Sequence, residues 1–141
     1  MTNAVAAIGT QLKMGDGAAS EVFTKIAEVR SIQGPTSTFD VLDATSHDSL
    51  NNTREFVAGL IDPGELTFEV LFDPGAVTHD ATTGLIAKHQ ARTETNFQLL
   101  FLDSTLVTFA ALVTNFEPSE PHDDLQVASV TLKITGTITW A

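Results

Sequence analysis

The sequence predicts a mainly β fold, an antiparallel β-sandwich or barrel with one packed α-helix. Three observations carry this. The C-terminal run 128–140 alternates apolar and polar residues without a break, two neighbouring runs are rich in β-branched and aromatic residues, and a single segment has helical spacing. Strands and helix do not alternate as βαβ units, so a parallel doubly wound sheet is excluded.

The C-terminal run is the strongest element. Ala128, Val130, Leu132, Ile134, Gly136, Ile138 and Trp140 form one face, and Ser129, Thr131, Lys133, Thr135, Thr137 and Thr139 form the other. At ~3.3 Å per residue it is ~43 Å long, well beyond the ~17–20 Å of an ordinary strand. Gly136 within it marks a bend or bulge. Ahead of it, 97–102 turns at Asp103-Ser104 into 106–114. Both faces of that hairpin are largely apolar, which predicts cover on both sides. A further strand is expected at 26–32, stopped by Gly34-Pro35, and another at 65–72, where Leu66, Phe68, Val70 and Phe72 alternate with Glu65, Thr67, Glu69 and Leu71. Asp-Pro-Gly triplets bound the latter on both sides, at 62–64 and 73–75.

The helix is expected at about 78–92, where Val77, Ala81 and Leu85 recur at four-residue spacing. Thr78 or Asp80 caps it, and Lys88 and Arg92 suit the negative end of its dipole. Gly84 weakens it by ~1 kcal/mol relative to Ala. Between about 40 and 62 the periodicity dissolves, and a long loop is expected. That loop carries Leu42, Leu50, Phe56, Val57, Leu60 and Ile61, more apolar side chains than a solvated loop holds. They must fold back on the body or bury against another chain.

Length, charge and residue usage narrow the function classes. The 141 residues fit one domain with one core, 43% of them hydrophobic, and no run approaches the ~20 apolar residues of a membrane helix. The N-terminus shows no basic and apolar regions of a signal peptide. Seven Lys+Arg face 18 Asp+Glu, a net charge of −11, which argues against binding nucleic acid through its phosphates. Solubility explains the acidity equally well, as does a surface that repels a polyanion. Cysteine is absent, so thiolate chemistry is excluded. No Gly-x-Ser-x-Gly or P-loop occurs, and Glu65 and Glu69 lie ~13 Å apart along a strand, too far for a glycosidase pair. Three dipeptides, His47-Asp48, His79-Asp80 and His122-Asp123, have metal-binding chemistry but no metal-motif spacing. Turn residues are the simpler reading. No catalytic residue, cofactor site or metal site is assigned.

Several segments taken in order carry a resemblance. "FTKIAEVRSIQGP" is a strand ending in Gly-Pro, and "DVLDATSHDS" is an Asp-x-x-Asp-x-Thr-Ser loop. "REFVAGLIDPGELTFEVLFDPG" joins an Arg-Glu-Phe-x-x-Gly-Leu element to the next strand. A short helix, a strand pair and a long final strand follow. Across most of 20–140 this resembles the major tail tube proteins of long-tailed, non-contractile bacteriophages, a fold related to type VI secretion tube proteins.

The resemblance implies a structural virion protein and not an enzyme. It implies one tail-tube domain over 1–141, with no immunoglobulin-like domain appended after Trp140. It further implies hexameric rings of identical subunits, stacked into a tube around a tape-measure protein and meeting a tail tip or initiator complex and a tail terminator. DNA passes through without specific binding. The expected location is the virion tail, assembled in the host bacterial cytoplasm, with no membrane partner. Expected interface residues are Leu50, Arg54, Phe56, Val57 and Leu60, with Phe56 and Leu60 as apolar anchors and Arg54 as partner for an acidic residue. Expected lumen-facing residues are Glu65, Thr67, Glu69, Thr131 and Thr135. The same β architecture also suits a capsid decoration protein or head–tail joining ring, and the His-Asp dipeptides leave a small metal-binding module as a third class.

Overall fold

The computed structural model describes residues 2–141. A seven-stranded antiparallel sheet has the order β2-β1-β7-β8-β9-β6-β3, and a separate two-stranded sheet pairs β4 with β5. The strands are β1 (Gln11–Gly15), β2 (Phe23–Lys25), β3 (Val29–Gln33), β4 (Thr38–Asp43), β5 (Phe56–Asp62), β6 (Glu65–Leu71), β7 (Thr95–Leu100), β8 (Leu106–Ser119) and β9 (Val127–Trp140). One helix, α1 (Leu85–Ala91), lies between β6 and β7. The fold is mainly β with one helix, as the sequence predicts, but the sheet does not close into a barrel.

The alternation of β6, β8 and β9 explains the core. On these strands every second residue is buried: Leu66, Phe68 and Val70; Val107, Phe109, Ala111 and Val113; Ala128, Val130, Leu132 and Ile134. They converge with Leu12, Met14, Phe97, Leu99 and Ile26 on one face, and Leu85 of the helix enters the same cluster. Burying such side chains contributes ~1.5–3 kcal/mol each, the main favourable term available to this chain. The long strand predicted at 128–140 is present as β9, paired with β8 along most of its length. Gly136 has φ +79° and sits where the β8–β9 register slips, so the predicted bulge is there.

Four expectations change. The strand expected at 26–32 begins only at Val29, as β3, because Ile26–Glu28 crosses from one edge of the sheet, where β2 ends at Lys25, to the other, and Glu28 adopts a left-handed φ of +59°. The hairpin 97–102/106–114 forms as β7–β8, but only its core face is fully covered. Leu100, Leu106, Ala110 and Leu112 on the other face stay half-buried in a single subunit. The helix is shorter than 78–92. Asp80 accepts N–H bonds from Thr82, Thr83 and Gly84 and holds 80–84 as turns, so helical bonding starts only at Leu85. Finally, 40–62 is not a loop. It is the β4–β5 hairpin with a 3₁₀ turn, Leu50–Asn52, near its tip.

The hairpin escaped sequence reading because a register slip interrupts its alternation. Phe39 faces Ile61, but two residues on, Val41 faces Ala58, so Gly59 and Leu60 together oppose one residue of β4. Beyond the slip the apolar phase changes, and the run 56–61 shows no period of two. β1 was also not anticipated; its Leu12 and Met14 alternate over too few residues to stand out.

The arm leaves the body at a tight joint. Gly64 has φ +77°, and a Cβ there would lie 2.1 Å from the Thr36 carbonyl oxygen. Gly136 shares the positive φ but has open space around it. A left-handed non-glycine residue costs ~1–3 kcal/mol. Gly136→Ala should therefore lose stability in that range, and Gly64→Ala should lose clearly more, as compared by urea midpoints. Asp16, Asp62, Asp80 and Asp103 each cap a turn, and backbone N–H groups of Ala18, Gly64, Thr83 and Thr105 respectively hold their carboxyls below the usual aspartate value of 3.8. The folded pKa is depressed, so this stabilisation is complete above that value and is lost as pH falls through the lower folded values. Denaturation midpoints should drop with acid below about pH 4, and Asp80→Asn, which keeps the acceptor and removes the charge, should flatten the drop.

Candidate functional site

The structure places the predicted interface residues on the projecting arm. Leu50 sits in the turn near its tip and is 80% exposed. Phe56, Val57 and Leu60 lie on β5 and are exposed as well. Cross-strand pairing puts Phe39, Val41, Phe56, Ala58 and Ile61 on one side of the arm, with Asp43 opposite Phe56 at its end, since directly opposed residues share a face. Among the described residues, none buries that side. A two-stranded hairpin alone is marginally stable in water. Here the tip is fastened by polar bonds instead. The Ala44 N–H donates to the Glu55 carbonyl oxygen at 2.9 Å, the Glu55 N–H donates to Thr45 Oγ1 at 2.8 Å, and Ser49 Oγ donates to Glu55 Oε2 at 2.7 Å. Arg54 lies 3.6 Å from Asp43 across the same arm, so in the single subunit its acidic partner is its own.

The predicted lumen-facing residues are brought together. Thr67 faces Thr131, Glu69 faces Ser129 and Glu65 faces Lys133 across the β6–β9 ladder, and Thr135 follows on β9 beside Ala110 of β8. All point away from the core, so two sequence-separate polar faces are one surface. Its cations are paired: Arg30 lies 3.4 Å from Glu69, and Lys133 lies 3.5 Å from Asp62 at the end of β5. Exposed pairs of this kind add at most ~1 kcal/mol, but they leave no lone cation on that face.

The three His-Asp dipeptides fall in three separate places: near the arm tip, before the helix, and in the β8–β9 turn. His79 is fully buried. Its Nε2 donates to the Ala27 carbonyl oxygen at 2.8 Å and its Nδ1 accepts the Asp73 N–H at 3.3 Å, which makes it the neutral Nε2–H tautomer. The adjacent Thr78 Oγ1 accepts the Ala27 N–H at 3.1 Å. Both backbone polar groups of one residue are thus held by neighbouring buried side chains. Sequence reading missed this latch; its signal, a His beside two turn formers, has no periodicity.

The seam that the latch spans is open below it. Ile26 donates to the Leu12 carbonyl and Glu28 accepts from Leu71, so the chain bridges the sheet's two edges there. Further along, a groove of about 570 Å³ separates the N-terminal residues Ala7–Thr10 from β3, with Leu99 and Phe101 on its floor. Lys25 and Glu28 border the adjoining recess.

A projecting arm with an uncovered apolar side, an ordered polar sheet face and an open seam, without a clustered set of catalytic or metal-ligating side chains among the described residues, are features of a structural subunit. The family model for the lambda phage tail tube protein matches residues 9–141, and the chain belongs to that family, as a structural component of the virion tail. Among solved structures, the gene transfer agent virion contains a similar chain at 16% identity and TM-score 0.70, covering 98% of this chain and 99% of that one. A chain of the SPP1 tail tube matches at 12% identity and TM-score 0.68, covering 96% and 78%. One from the anti-feeding prophage baseplate matches at 10% identity and TM-score 0.71, covering 100% and 97%. No curated protein matches. At these identities the structural likenesses establish the fold; the family rests on the sequence match.

The latch is testable. His79→Leu removes the donor to the Ala27 carbonyl and leaves a buried acceptor unsatisfied, which costs ~1–3 kcal/mol. Its urea midpoint should fall accordingly, and amide exchange should rise first at Ile26–Glu28.

Proposed function

We propose that this protein forms rings of identical subunits that stack into a tail tube, and that the β4–β5 arm joins each subunit to a neighbour. The arm's uncovered apolar side carries this reading. Four large apolar residues, Phe39, Val41, Phe56 and Ile61, share that side, each more than half exposed. Covering them against another copy removes apolar area at ~25 cal/mol per Å², and the arm gains the packing it lacks alone. Leu50 at the tip, Leu60 at the register slip, and Val57, which pairs with Leu42 on the arm's other side, offer a neighbour further apolar surface. Arg54 either keeps Asp43 or exchanges it for a carboxylate of the neighbour.

In the assembled tube the β6–β9 face, with Glu65, Thr67, Glu69, Thr131 and Thr135, lines the channel. Hydroxyls and paired cations form a wall that holds no phosphate, which suits the passage of DNA. A basic lining would retain DNA as a brake. The net charge of −11 acts in the same direction. Six-fold rings, a tape-measure protein within the tube, contacts with a tip complex and a terminator, and the lack of any catalytic role complete the proposal.

The test is assembly of the purified protein, followed by electron microscopy and sedimentation. The full chain should form rings or hollow tubes at high concentration. Deleting 44–55, or introducing Phe56→Asp, should leave a folded subunit by circular dichroism that sediments as a monomer. Tubes formed by either variant would overturn the arm's role. A full chain that stays monomeric at every concentration, with or without tail-tip seeds, would overturn the tube reading itself. Lumenal placement predicts that Thr67→Lys with Thr131→Lys leaves tubes intact and makes them retain DNA in a salt-dependent manner.

A further inference from the structure

We propose that the receiving surface for the arm is the seam of a second copy: the groove between residues 7–10 and β3, with Lys25 bordering the recess that adjoins it and Lys13 opposite Lys25 across β1 and β2. The inference rests on the tube reading above and names the other half of its interface.

Three observations converge on the seam. First, β3 is the edge of the seven-stranded sheet and its outer side has no strand beside it. β1 beyond the groove pairs with β2 only from Lys13 onward, so its first residues are open on that side too. Unpaired strand edges accept an added strand through main-chain bonds. The arm is two strands with both outer edges free. Second, the groove is apolar where the arm is apolar. Ile8, Val29, Ile32, Leu99 and Phe101 line it, and Ile8 is 85% exposed.

Third, the charges are complementary. In a chain this acidic, Lys13 and Lys25 stand directly opposite each other across β1 and β2. Like charges so placed are destabilising on their own. The other basic residues of the sheets and arm, Arg30, Arg54 and Lys133, have acidic partners, whereas these two have none among the described residues. The arm is the inverse. It carries Asp40, Asp43, Asp48, Glu55 and Asp62 against Arg54 alone, and Asp40 and Asp48 have no basic partner among the described residues. An acidic strand pair with an apolar side fits an apolar groove whose adjoining recess is bordered by one of these two unneutralised lysines. A copy's own arm departs from the end of β3 through Gly34–Ser37, and no residue of β4 or β5 lines its own groove. Filling every seam with the arm of a neighbour is a heterologous contact, the kind that generates rings or filaments.

The chain has no cysteine, so single-cysteine pairs report the contact directly. Chains carrying Val41→Cys, mixed with chains carrying Ile8→Cys and oxidised after assembly, should yield cross-linked dimer as the main product. Val41→Cys mixed with Ser119→Cys, at the far end of the sheet, should yield little. Tubes without the first cross-link, or with equal cross-linking of the control, overturn the seam as receptor and leave the tube reading standing. Cross-links between Ile8→Cys and Val5→Cys of another copy, in place of Val41→Cys, assign the groove to an N-terminal segment and also overturn it. Charge exchange is the second readout. Lys13→Glu with Lys25→Glu should abolish tube formation while circular dichroism is unchanged, and adding Asp40→Lys with Asp48→Lys should restore it. Assembly unaffected by the first pair, or lost and not restored by the second, overturns the proposal.

Discussion

Ala27 has both of its backbone polar groups occupied by buried side chains, the N–H by Thr78 and the carbonyl by His79. The rest of the fold depends on this small latch. A one-sided seven-stranded sheet must curl to enclose its apolar face, and its two edges here are joined by only three residues, Ile26–Glu28. Ile26 is fully buried between them, and the flanking bonds to Leu12 and from Leu71 tie it to both edges. Leaving either group unpaired at this part-buried bend would cost about 1–3 kcal/mol. The segment before the helix supplies the partners, which explains why it is turn rather than helix.

The latch also explains why the remainder of the seam stays open. The chain crosses once, leaves β3 for the arm at Gly34, and starts β1 after the left-handed Gly9. Between these points two strand edges face each other with nothing inserted. The same chain exports its two-stranded arm from the neighbouring corner. Under the proposed docking, the spare strand pair of one copy fills the open strand site of the next. Membership of the tail tube family agrees with that physical state.

Much of this could be read from residues because it is local. The alternation at 128–140 and 65–72 gave strands and their buried faces, since side chains in a strand alternate whatever the strand pairs with. The bulge at Gly136 and the turn at Asp103-Ser104 followed from backbone preferences alone. The apolar excess at Phe56, Val57, Leu60 and Ile61 was visible, but whether it folds back on the body was not; the structure leaves it exposed. Its shape was not, because the slip at Gly59-Leu60 erased the period that identifies a strand. The helix was overextended for a related reason. Val77 and Ala81 fit helical spacing, but Asp80 binds three successive N–H groups and delays the helix start to Leu85.

Sequence by itself determined the fold class, the core faces of the long strands, the acidic character and the existence of an uncovered apolar segment, all properties of near neighbours or of composition. Only the tertiary structure decided that Glu65, Thr67 and Glu69 share a face with Thr131 and Thr135, that His79 holds Ala27, and that Lys13 meets Lys25. Each of those depends on which strands lie side by side and in what register, and pairing between segments far apart in the chain leaves no periodic trace in either segment.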